Sequence, residues 1–392
     1  MQQLRKLLLT VKKSGVSLMA FSTTGKRIGV GIIGLSAKGG WAAAAHVPAL
    51  RAVEGYELRA LSASSAESAA AAGEAHDVAL TFGTAEELVG RDEVDLVVIT
   101  VKVPHHRKLV TTALQAGKMV LCEWPLGNGL AEAEELAALA RSQGVRTVVG
   151  LQARSAPAVR YLRDLVADGY VGEVLSTTII ASGEAWGPEV PLAGRYLIDA
   201  ANGATMLTIQ GGHILDAVAS VLGEFGELDA VVATRRTTVR DVETGGELRM
   251  TAPDQVAVAG RLTSAAVAAI HYRGGRSRGV NFHWEINGTE GDLVVSAPSG
   301  LLQMSPVQIR GGQGGNDELS VLEVPRSYHR VAGLADQPDA PGYAVAHAYA
   351  QLLEDIENGT STLPDFDHAV WRHRTIDTID RAATSGRRQT IS

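Results

Sequence analysis

The chain has 392 residues, with 36 Lys plus Arg against 43 Asp plus Glu, a formal net charge of −7 and 45% apolar residues. A length beyond the ~250–300 residues at which one hydrophobic core stops growing predicts two domains, and the acidic balance offers no global positive field for nucleic acid. No window approaches the ~20 uninterrupted apolar residues of a spanning helix, which excludes an integral helical membrane protein.

In chain order, residues 1–26 carry Arg5, Lys6, Lys12 and Lys13 around an apolar core of only Leu7 to Leu9, too short for a secretory signal. They read as a disordered leader, with a basic, acid-free organelle transit peptide as the alternative and Met19 as a second candidate start. The single Cys122 cannot form an internal disulfide, and together with the leader reading this predicts a cytoplasmic protein.

From Arg27 a short β-branched run, a glycine cluster and an Ala-rich stretch predict strand, loop and helix. Apolar runs at Tyr56 to Ala63, Val94 to Val101, Lys118 to Leu121 and Val145 to Val149 then alternate with helical segments at Ala66 to Ala75, His105 to Gly117 and Ala131 to Gln143. Strands alternating with helices imply a parallel sheet covered on both faces. Beyond it, alternating runs at Val174 to Ser182, Gln255 to Leu262, Ala265 to Tyr272 and Val280 to Asn287 predict antiparallel strands. The Gly-, Pro-, Ser- and Asp-rich stretch from Ala297 to Pro341 reads as a long excursion on that sheet.

The loop after the first strand is where such a sheet holds a dinucleotide, its pyrophosphate resting on backbone N–H groups at the next helix N-terminus. Gly34, Ser36 and Gly39 occupy the three glycine places of the dinucleotide fingerprint, with Leu35 and Lys38 between them, so Ser stands where the backbone must approach the pyrophosphate. Ser is small, and its hydroxyl can donate to phosphate. The second strand ends Ser62-Ala63-Ser64 without the carboxylate that binds the ribose hydroxyls of NAD, which tilts the choice toward NADP. Arg59 and Lys38 are the candidate cations for a 2′-phosphate. His46, His105 and His106 lack Cys, Asp or Glu partners at zinc-ligand spacing, so no metal is expected; His106 reads as a surface residue.

The series Gly34 to Gly39, His46 with Pro48, Thr100 with His105, Cys122-Glu123-Trp124-Pro125, Arg154 with Pro157, His213 with Asp216, and Asn287 to Asp292 resembles the glucose-fructose oxidoreductase/inositol dehydrogenase (Gfo/Idh/MocA) family. Its details are most similar to the galactose-pathway repressor-like branch. The resemblance implies an α/β protein: an N-terminal Rossmann domain with a parallel sheet over residues 27–152, then an α/β substrate and oligomerisation domain with a large open, mostly antiparallel sheet over 153–392. It implies NAD or NADP bound by Gly34, Leu35, Ser36, Lys38, Gly39, Ser62, Thr100, His105, Glu123 and Trp124, and a small sugar-like ligand held by Trp124, Arg154 and Trp186. His213 is the implied catalytic base.

Two positions depart from that family. Trp124 stands where sugar-oxidising members carry a Lys, and indole has one N–H donor and no useful titration. Ile209 stands four residues before His213, where the family tends to place Asp. Two readings follow: an NAD(P)-dependent oxidoreductase of a sugar or polyol with His213 as base, or a cofactor-binding regulatory protein with a relic site and a protein partner. In either reading the open sheet face needs cover, which predicts a homodimer or higher homo-oligomer.

Overall fold

The computed structural model describes residues 27–391, and the leader expected over residues 1–26 lies outside the described residues. Six strands come first: β1 (Ile28–Ile33), β2 (Tyr56–Ser62), β3 (Leu80–Phe82), β4 (Leu96–Ile99), β5 (Met119–Glu123) and β6 (Thr147–Gly150). They pair in the order β3-β2-β1-β4-β5-β6, every pair parallel. β1 and β4 are buried at each position, as strands covered on both faces must be.

Helices Ala66–His76, His106–Gln115 and Leu130–Gln143 fill the crossovers within two residues of the sequence expectation. The first crossover begins as a π-helical turn, Ala42–His46, that continues into Val47–Ala52. Sequence periodicity does not announce β3 or the helix Ala85–Val89, because three and five residues are too few to display a repeat.

The second sheet is built from β7 (Val174–Gly183), β9 (Phe225–Ala233), β12 (Gln255–Leu262), β13 (Val267–Gly274), β14 (Phe282–Gly288), β15 (Gly291–Ala297), β16 (Gln308–Gln313), β17 (Ser320–Val321) and β18 (Gln389–Thr390). A small separate sheet joins β8 (Glu189–Val190), β10 (Thr238–Asp241) and β11 (Glu247–Arg249). The order of the large sheet is β17-β16-β15-β14-β7-β13-β12-β9-β18, and only β7 and β13 run parallel. The stretch expected as an excursion thus supplies two strands: β16, whose Gly311 and Gly312 hide the apolar alternation, and β17, only two residues long. One face of the sheet buries Leu228, Val256, Val258, Ala268 and Ile270, while Ile180, Val231 and Val267 stay exposed. The period of two along each strand puts the two sets on opposite faces.

The C-terminal helices tie both sheets together. Gly342–Asn358 returns to the first one, where Val345, Tyr349 and Leu352 join Ile28, Val30, Leu61 and Val98 in one apolar cluster. Phe366–Ser385 brings Ile376 and Ile379 into the cluster that holds Val97, Leu126 and Leu228. The end of the chain therefore completes the core of the N-terminal sheet, although the sequence places it in the second domain.

Candidate functional site

β1 is flanked by β2 and β4, and successive connections leave it in opposite directions, so a crevice opens beyond the C-terminal ends of these strands. A cleft of about 700 Å³ lies there, lined among others by Gly34, Ser36, Ser62, Ser64, His105 and Lys108. Gly34 makes the turn out of β1 at φ +101°, and a Cβ there would stand 2.7 Å from Val101 Cγ1. Only glycine meets both demands. The Gly34 N–H donates to the Ser62 carbonyl (3.0 Å), and both the N–H and the hydroxyl of Thr100 donate to the Ile33 carbonyl (3.1 and 3.0 Å), which locks the strand ends around the cleft.

Ser36 accepts the Lys38 N–H through Oγ (3.1 Å), leaving its hydroxyl proton available for a phosphate. Around Gly39 and Gly40 nothing lies within 4 Å of where a Cβ would be, so backbone and ligand can approach freely. Leu35 is fully buried and contributes only backbone; Lys38 is exposed in the turn. Arg59 pairs with Glu57 (2.8 Å) on β2 and is not among the cleft residues. The residues present fit a dinucleotide: open glycines, a small hydroxyl and the unpaired N–H groups of a first helical turn.

β5 ends in Glu123, and its carboxylate faces away from solvent. Oε1 contacts His46 Nε2 (3.1 Å), and Gln152 Nε2 donates to both carboxylate oxygens (2.9 Å each). His46 Nδ1 meets the Tyr349 hydroxyl at 2.8 Å, so the C-terminal helix helps to hold this acid. Trp124 follows through a cis bond to Pro125 and is 5% exposed. Its indole N–H donates to the Thr208 carbonyl (2.7 Å), and its ring lies 4.6 Å from that of His373. The donor that a sugar hydroxyl could have used is thus engaged within the protein.

His213 sits in the first turn of helix Gly212–Leu222 and is 8% exposed. Burial pushes its imidazole below the ordinary histidine range, against the opposing pull of Glu123 and Asp216. Its Nδ1 is enclosed without a hydrogen-bond partner. A general base is usually oriented by an acceptor on its second nitrogen, and Ile209 offers none.

The other two side chains assigned to ligand are engaged as well. Arg154 donates through Nε to Asp216 (2.8 Å), and Trp186, 4% exposed, donates its indole N–H to the Leu197 carbonyl (2.8 Å). His106 corrects the sequence reading: it is 1% exposed, with Nδ1 2.8 Å from the Pro125 carbonyl and Nε2 2.9 Å from that of Val101. It opens helix His106–Gln115 and turns under the Trp124–Pro125 loop, whereas its neighbour His105 stays in the cleft wall. Among the described residues no group of three or more His, Cys, Asp or Glu is placed to hold a metal ion, and no helix is long and apolar enough to cross a membrane.

Sequence reasoning missed the partners of Asp216. His368 Nε2 lies 2.6 Å from Oδ1 and Arg372 3.6 Å from it, both on the helix Phe366–Ser385. Their signal was present: His368 and Arg372 are four residues apart on a helix whose Ala369 and Ile376 face the core.

A parallel sheet with a glycine turn at its switch point, followed by a large open sheet, defines a dinucleotide-binding α/β protein. Residues 28–151 match the oxidoreductase family with an NAD-binding Rossmann fold, and residues 157–297 match the C-terminal domain of Gal80p. The chain is similar to dehydrogenase aclE of Aspergillus oryzae, 32% identical over 373 residues that cover 92% of this chain and 97% of that protein. It therefore belongs to the Gfo/Idh/MocA oxidoreductase family. It is also similar to the galactose/lactose metabolism regulatory protein GAL80 of Saccharomyces cerevisiae, 27% identical over 314 residues, 75% of this chain and 72% of that one. A solved super-repressor mutant of that yeast protein shares the fold at TM-score 0.82 and 23% identity, covering 93% of this chain and 98% of the other. So does levoglucosan dehydrogenase in complex with NADH and levoglucosan, at TM-score 0.79 and 19% identity, covering 93% and 100%.

Proposed function

We propose that this protein is an NAD(P)-dependent oxidoreductase acting on a CH–OH group of a sugar or polyol, with His213 as the general base. The observation that carries the reading is a dinucleotide-sized cleft at the C-terminal ends of the strands, the same edge on which β5 ends in Glu123. A bound nicotinamide supplies the hydride acceptor. His213 takes the hydroxyl proton, and its lowered basicity keeps it unprotonated, and so ready to accept, at neutral pH. Glu123, fixed by His46 and Gln152, holds the negative charge that steadies the imidazolium once formed. Ser62, Ser64 and Ser68 around the cleft, with no carboxylate at the end of β2, leave room for a 2′-phosphate and favour NADP. The exposed sheet face with Ile180, Val231 and Val267 is covered by a second copy in a homodimer.

Reduction of NAD⁺ and NADP⁺, followed by cofactor absorbance across aldoses, polyols and keto-sugars, tests the proposal. Turnover with any of them supports it. A specific observation favours a second reading, in which the chain binds cofactor and a protein partner without turnover: the Trp124 donor is engaged by Thr208, and nothing orients His213 Nδ1. Cofactor binding with no turnover over the whole panel would put that reading first.

A further inference from the structure

Three elements meet around a second polar cluster: helix Pro157–Ala167, the turn Arg326–Tyr328 with the two residues after it, and helix Gly342–Asn358. His347, on the last of these, is 0% exposed, yet neither of its ring nitrogens has a hydrogen-bond partner in the protein. Its ring is flanked by those of Tyr343 and His329, with centroids 5.0 and 6.4 Å away, and the Tyr343 hydroxyl meets His329 Nδ1 at 3.2 Å. Buried polar atoms are normally paired, so a ring with neither nitrogen satisfied by the protein calls for a physical reason.

The same place collects cations. Arg160 lies over the Tyr328 ring, 5.7 Å from its centroid, and its enclosed Nη1 has no hydrogen-bond partner. Asp164, one helical turn further on, would be its natural acid, but one carboxylate oxygen accepts from Arg163 (2.8 Å) and the other from the Tyr328 hydroxyl (2.9 Å). Arg330 has Glu354 Oε2 3.0 Å from Nη1, at an angle that makes no hydrogen bond, and its side chain is 22% exposed, so the cluster reaches solvent there. Burial, and then the positive charges of Arg330 and Arg163, lower the basicity of Arg160. Burial, and then His329, Arg160 and Arg330, push the His347 imidazole down to about 3. Positive charge held below the surface without an acid is costly, and an anion removes that cost.

We propose that Arg160, Arg330, His329 and His347 bind a phosphate group, either inorganic phosphate or the phosphate of a phosphorylated sugar. Guanidinium forks match phosphate oxygens, and imidazole N–H groups add further donors. A carboxylate would balance Arg160 alone. With a phosphate in place one imidazole regains its proton, and that proton together with Arg160 balances a dianion. None of the four residues lines the dinucleotide cleft, so the site is separate from it and independent of hydride transfer.

The test titrates the full-length chain with inorganic phosphate, glucose-6-phosphate and acetate, by calorimetry and by NMR of the histidine rings, assigned through His347→Gln and His329→Gln. Ser36→Glu, which sets a carboxylate in the dinucleotide turn, is the background in which phosphate is kept out of the cleft. Phosphate should bind both wild type and Ser36→Glu, shift the His347 and His329 rings, and in Ser36→Glu leave His105 of the cleft wall unmoved. Arg160→Gln and Arg330→Gln should each weaken binding by about 10- to 100-fold, the loss of one charge-assisted contact. Tighter binding of glucose-6-phosphate than of phosphate supports the site with the ester as its ligand; equal or weaker binding supports it with free phosphate. The proposal is overturned by no phosphate binding at millimolar concentration, by acetate binding as tightly as phosphate, by affinity unchanged in both arginine variants, or by binding that Ser36→Glu abolishes. If neither arginine variant folds, the wild-type titration decides: phosphate that leaves the His347 and His329 rings unmoved overturns the proposal.

Discussion

Trp124 lies so close to Gly212 that a Cβ there would stand 2.4 Å from the indole nitrogen, which itself donates to Thr208 one helical turn earlier. The indole thus fits against a single turn of backbone, and glycine is the residue that lets it. Gly212→Ala should destabilise by about 1–3 kcal/mol, since ring and helix must separate to admit the methyl group. Urea unfolding checks this; a stability equal to wild type would mean that the loop shifts without cost.

Ser36→Glu should abolish NAD(P) binding. The carboxylate would stand beside the pyrophosphate in a turn where Ser36 now offers a free hydroxyl proton. Calorimetry on a variant with unchanged circular dichroism decides: wild-type affinity would place the cofactor elsewhere.

His213→Ala should lower turnover by ~10²–10⁴-fold while leaving cofactor affinity nearly unchanged, because general-base assistance is lost and His213 is not among the residues that line the cleft. The companion variant Trp124→Lys should preserve or raise turnover in an enzyme and do nothing in a regulatory protein. Equal kcat and kcat/KM in wild type and His213→Ala would show that another group takes the proton.

Burial, and next to it the charge of His106, pushes the buried His373 down to about 4. A histidine lowered in the folded state binds its proton more readily when unfolded, so its contribution is present above about pH 6.5 and is lost as pH falls toward the folded value. Unfolding free energy should therefore drop between pH 7 and pH 4, on the order of 3 kcal/mol from this group. In His373→Asn the drop should be shallower. An unchanged pH slope in that variant would assign the acid sensitivity to other groups.

Val231 is 64% exposed on the open sheet face, next to a groove lined by Ala257, Ala259 and Ala269. If a second copy covers that face, Val231→Glu should convert a dimer to monomer by placing a charge in an apolar contact. Light scattering at micromolar concentration reads the mass directly, and a wild-type monomer would remove the interface.

Much of the fold was legible in the chain because its signals are local. Buried parallel strands such as VDLVVIT are continuous apolar runs, and the glycine turn at Gly34 follows from a backbone demand that one residue type meets. The same locality carries the family to which the chain belongs. Local signals do not say which side chains meet across the molecule. Trp124, Arg154 and Trp186 looked free to hold a ligand, yet each has its polar atom on a partner 11 to 84 residues away, Leu197, Asp216 or Thr208. His106 looked superficial until the Trp124–Pro125 loop closed over it. The C-terminal helices follow the second sheet in sequence, yet Tyr349 reaches His46 beside the first sheet, and His368 meets Asp216 across 152 residues. A buried polar atom must find its partner wherever packing brings one, and packing depends on the whole chain, so these pairings were decided by the tertiary structure alone.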